Sequence, residues 1–97
     1  MGIDKEKIEY FLYMMYPVME LQVEQVLNDS EADPDYSAIA AANTIKCYIQ
    51  IMTDLGNPLK FDSVEGFFKV NGFTNEEYRV FEDKRKKEAK YYRDVQY

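Results

Sequence analysis

Histidine and tryptophan are absent from the 97 residues, and cysteine occurs once, as Cys47. Without imidazole, Ser-His-Asp and Cys-His catalysis are excluded, as is any zinc site with a His ligand. A single thiol closes no internal disulfide and builds no Cys cluster, so nothing ties the chain to an oxidising compartment. Long apolar runs are missing too. The longest uncharged one, Tyr10 to Met19, contains Pro17 and is about half of what a membrane span needs. Met1 to Lys7 mixes both charge signs, and Lys7 stands near where a myristoylation motif wants Ser or Thr. The expectation is a cytoplasmic protein with no membrane contact.

Positive charge is scarce. Twelve Lys and Arg face 18 Asp and Glu, a formal net charge of −6, which argues against the broad basic footprint of a nucleic-acid binder. An apolar share of 46% is globular rather than disordered composition. Repeats, linkers and low-complexity segments are not visible, so residues 1–97 read as a single helical domain.

Periodicity and caps predict an all-α bundle of about four helices. The first, near 5–28, starts behind Asp4 as N-cap and places Ile8, Phe11, Leu12, Met15, Met19, Val23 and Val26 at spacings of three and four. Pro17 removes one backbone donor, which predicts a kink, or a break into two abutting helices. The second helix, near 34–55, is bounded by Asp33 as N-cap, Pro34 at its first position and Gly56 beyond its end. Its Ala38, Ala41 and Ala42 permit close backbone approach, and Ile45, Tyr48, Ile49 and Met52 fill space further along. It reads as the central core helix.

A short third helix fits 63–71, with Asp62 and Glu65 as a capping box. Gly72 ends it, and Phe73 is placed to touch Phe68 in a Schellman ending. Thr74 with Glu77 is a second capping box, and Phe73 with Tyr78 its hydrophobic staple. These agreeing caps outweigh a hairpin turn at Asn71-Gly72. The fourth helix, near 75–95, carries Glu82 with Lys86 and Asp83 with Lys87 as favourable four-residue pairs. The expected core is Leu12, Met15, Met19, Ile45, Ile49, Met52, Phe67, Phe68 and Phe81.

Three surface features are candidates for function. Between Ile8 and Ile45 there is no Lys or Arg, while Glu20, Glu24, Asp29, Glu31, Asp33 and Asp35 form an acidic stretch. Counted as a calcium loop from Asp29, it has Pro34 where Gly is needed and Ala40 where Glu is needed, so it fails as a metal site. A solvated loop, or a patch facing a basic partner, remains.

Lys84, Arg85, Lys86, Lys87, Lys90 and Arg93 form a basic stretch in the fourth helix. With the third helix they outline a helix-turn-helix. The first turn of the would-be recognition helix is Asn75-Glu76-Glu77, which would set negative charge against phosphates. Nucleic acid is disfavoured as a partner.

The third feature is aromatic. Tyr10, Phe11, Tyr13, Met14, Met15 and Tyr16 make the first helix apolar around most of its circumference, where a surface helix shows a stripe. Ile8, Phe11, Leu12 and Met15 are assigned to the core. Tyr10, Tyr13, Met14, Tyr16 and Leu21 are assigned to self-association or a protein partner. Cys47 reads as a buried structural thiol.

No Gly-rich phosphate loop or carboxylate cluster marks catalysis, and no cofactor site is expected. The sequence therefore reads as a small non-enzymatic helical interaction protein, acting as a homo-oligomer with a dimer favoured. By analogy of size and composition it suits an inhibitor encoded by a phage or mobile element, binding a host or defence protein in the host cytoplasm. The alternatives are a helix-turn-helix-like regulator using 84–93, or an oligomer binding a small anionic ligand such as a nucleotide.

Overall fold

The computed structural model describes residues 4–28 and 37–95, the last five as backbone. Four helices follow in order: α1 (Lys5–Asn28), α2 (Ala38–Asp54), α3 (Val64–Val70) and α4 (Asn75–Val95), with no strand among the described residues. Asp4 caps α1 as expected, its carboxylate accepting from the Glu6 N–H at 3.0 Å. Pro17 lies inside one continuous helix rather than between two.

The start of α2 differs from the sequence expectation. Asp33 and Pro34 lie outside the described residues, but Ser37 is extended (φ −82°, ψ 122°), so the helix does not run back through it. Ser37 is the N-cap, and its hydroxyl accepts from the Ala40 N–H at 3.1 Å. A similar shift by one residue occurs at α3. There Ser63, not Asp62, is the N-cap, accepting from the Gly66 N–H at 3.0 Å. Glu65 pairs with Lys69 at 3.4 Å instead of closing a box.

The α3–α4 junction has the expected chemistry. Gly72 adopts φ +81°, a left-handed conformation that glycine takes without a Cβ penalty. The Phe73 N–H reaches the Phe68 carbonyl at 2.9 Å and the Gly72 N–H reaches that of Lys69 at 3.3 Å, the two bonds of a Schellman motif. Thr74 and Glu77 exchange reciprocal capping bonds of 2.8 and 3.0 Å. Phe73 and Tyr78 meet through Phe68, each ring centred 5.1 Å from it.

The molecule measures 42 × 34 × 18 Å. Its thickness accommodates two helix layers whose axes lie about 8–10 Å apart. Such a slab has no third layer to cover the outer face of a helix. In the sandwich, α2 touches each of the other three helices. Its alanines 38, 41 and 42 are fully covered, as are Met19, Val23, Ile45, Phe67, Phe68 and Phe81. Met15, Ile49 and Met52, expected inside, are only half-buried at the edge of this core.

Gly66 stands at a close approach. A Cβ there would meet the Phe61 Cβ at 3.0 Å, where the α2–α3 connection presses on α3. Phe61 stacks on Tyr48 and meets Phe67 edge to face, at centroid distances of 6.1 and 5.3 Å.

Candidate interaction surface

The outer face of α1 is the uncovered one. Tyr10, Phe11, Tyr13, Met14, Val18 and Leu21 are each about half exposed or more, up to 76% for Tyr13. Tyr10, Tyr13, Met14 and Leu21 thus project to solvent as expected. Two assignments change. Phe11 is 58% exposed and does not face the core, because it lies on the shoulder of the helix, beyond the reach of the second layer. Tyr16 turns inward. Its ring lies 5.7 Å from both Tyr48 and Phe67, and its hydroxyl donates to Asn71 Oδ1 at 3.1 Å. Asn71 in turn donates to the Phe67 carbonyl at 2.8 Å. Tyr16 therefore ties α1 to the end of α3 rather than projecting freely to solvent.

Beside this face runs a groove of about 440 Å³. Tyr13, Met14 and Pro17 form one wall, and Met52, Pro58 and Leu59 line it from α2 and the α2–α3 connection. Its floor is Tyr48 and Phe61, both buried. Burial pushes the Tyr48 phenol above the ordinary tyrosine range, with neighbouring Tyr16 adding to the effect. The floor is neutral at physiological pH, and Lys60 is the charged residue in the lining. An apolar groove with an uncharged floor suits apolar side chains.

The basic stretch is partly committed to the fold. Lys84 donates to the Val26 carbonyl near the end of α1. Arg85 grips Glu82 through two bonds of 2.9 and 2.7 Å. The expected Glu82–Lys86 pair is displaced by this fork, since Arg85 matches both carboxylate oxygens at once, and Lys86 acts on Glu82 only through its charge. Asp83 and Lys87 do not close to ion-pair distance among the described residues. Lys86, Lys87 and Lys90 are exposed. Arg93 belongs to the backbone-only segment.

Of the acidic stretch, Glu24 is exposed and Glu20 half-buried on α1. Asp29, Glu31, Asp33 and Asp35 lie outside the described residues. Cys47, expected to be buried, is exposed on α2, because it falls two residues past Ile45 and so on the far side of the helix. Among the described residues no helix is long and apolar enough to cross a membrane.

Sequence reasoning missed the groove's second wall, since nothing local places Pro58 and Leu59 opposite Pro17. For the same reason it missed two long-range caps, Lys84 on the Val26 carbonyl and Glu88, which accepts the Ala38 N–H at 2.7 Å. Ser37 was readable, as a Ser directly before an alanine-rich helix. Compared with family models, curated proteins and solved structures, the chain matches none.

Proposed function

We propose that this is a non-enzymatic helical interaction protein that assembles with itself through the outer face of α1 and the groove beside it. The observation that carries this reading is the contiguous run of large apolar side chains left in water on one helix, from Tyr10 to Leu21. Contiguous apolar patches of this kind mark association sites, and their Tyr and Met content matches interface cores. A two-layer slab 18 Å thick leaves that face open unless a partner supplies a further layer. The small acidic format supports a cytoplasmic setting, as an inhibitor of a host or defence protein carried by a phage or mobile element.

Light scattering on the purified protein tests the assembly. The wild type is expected at twice the chain mass of 11.5 kDa, and Tyr13→Glu with Met14→Glu at the monomer mass with an unchanged helical circular dichroism spectrum. A monomeric wild type, or a folded double variant that keeps the dimer mass, would overturn the reading.

A further inference from the structure

The exposed face of α1 has an internal order that the proposed self-association does not by itself require. Lys7, Tyr10, Met14, Pro17, Leu21 and Glu24 follow one another at spacings of three, four, three, four and three, and all six are exposed. That alternation is the a/d seam of a helix prepared to pair with another helix. It spans 18 residues, and its length from end to end is about 26 Å. Phe11 and Val18 flank it on one side, and Tyr13 flanks it on the other, above the groove.

The ends of the seam carry opposite charges, and its middle carries none. Lys7 is positive and Glu24 negative, and neither has an ion-pair partner among the described residues. From this pattern we infer that the seam pairs with its own copy in antiparallel register, Lys7 against Glu24, Tyr10 against Leu21 and Met14 against Pro17 of the second copy. Each layer then joins an a position to a d position, which is what an antiparallel helix pair presents. The pairing is its own mirror under a two-fold axis, so every contact occurs twice. On the flank, Phe11 falls opposite Val18 of the second copy. Parallel pairing would instead set Lys7 against Lys7 and Glu24 against Glu24, two like-charge contacts that an exposed seam has no means to offset. Charge therefore selects the direction, and apolar burial supplies the association.

This inference rests on self-association through α1, and one experiment separates the two. In a Cys47→Ser background, Tyr10→Cys and Leu21→Cys proteins are prepared singly and as an equilibrated one-to-one mixture. Each is treated with a short bis-maleimide, beside light scattering on the wild type. In the antiparallel register position 10 meets position 21 across the seam, whereas the two copies of position 10 stand about 16 Å apart along the axis. Cross-linked dimer in the mixture, and little in either single protein, is the expected result.

A dimer that cross-links through Tyr10→Cys alone overturns the antiparallel register but leaves self-association standing. A dimer that cross-links in none of the three samples overturns the seam. A monomeric wild type removes both. A charge exchange guards against damage from the cysteine substitutions. Lys7→Glu is expected to weaken the dimer about tenfold, and Lys7→Glu with Glu24→Lys to restore it. Failure of the double exchange to restore the wild-type affinity would also overturn the register.

Discussion

Glu88 of α4 accepts the backbone N–H of Ala38, the first residue of α2, at 2.7 Å across 50 positions of sequence. One turn earlier, Lys84 donates to the carbonyl of Val26 near the end of α1. The cation sits at a helix C-terminus and the anion at a helix N-terminus, the signs the peptide dipoles favour. A single turn of α4 thereby holds both helix ends that flank residues 29–36. Glu88, the one acid among residues 84 to 93, is a structural cap rather than an interruption of a basic surface.

Glu88→Ala removes an acceptor from a partly buried helix start and is expected to cost about 0.5–2 kcal/mol in urea unfolding. Glu88→Gln keeps an oxygen in place and should cost less. Lys84→Met should destabilise too, by roughly 1–2 kcal/mol, through loss of a charged donor. An unchanged urea midpoint for Glu88→Ala would show that solvent serves the Ala38 N–H equally well.

The junction of α3 and α4 yields a prediction about Phe73. Its backbone N–H closes the Schellman motif and its ring packs on Phe68, while the next residue, Thr74, begins the capping box of α4. Truncation in Phe73→Ala is expected to speed amide exchange at the end of α3 and in the first turn of α4 together. Faster exchange confined to one of these ends would separate the two roles.

This junction was legible because all of its chemistry is local. Gly72, Phe73, Thr74 and Glu77 stand within six positions, and each signals the same geometry. The start of α2 was not. Asp33-Pro34-Asp35 is a strong local N-terminal pattern, but the helix begins at Ala38, where Ser37 and the distant Glu88 both satisfy backbone donors. The candidate surface divides in the same way. Periodicity separates Tyr10, Met14 and Leu21 from Leu12 and Met19, which sit on opposite faces. It misplaces shoulder positions such as Phe11, assigned to the core, and Tyr16, assigned to the outer surface, because their exposure depends on where α2 and α3 lie. Tyr16 finds Tyr48, Phe67 and Asn71 there, and Phe11 finds no comparable cover.

The last prediction concerns acid stability. Two hydrogen bonds from Arg85 hold the Glu82 carboxyl below its ordinary value near 4.5, burial opposes them, and the charges of Arg85, Lys86 and Lys46 add to the lowering. A carboxyl with a lowered folded value binds its proton less readily in the folded chain than in the unfolded one. Its stabilising contribution is therefore present above about pH 4.5 and is lost as pH falls through the folded value. Because both side chains are partly open to water, the expected size is under about 1 kcal/mol. Glu82→Gln should lower the urea midpoint at pH 7 and converge with the wild type at acid pH. Arg85→Met should act in the same window, and the double variant should lose little beyond either single one, since both remove one interaction. A difference between wild type and Glu82→Gln that stays constant from pH 7 into the acid range would show that packing, rather than the ionised pair, accounts for the contribution of Glu82.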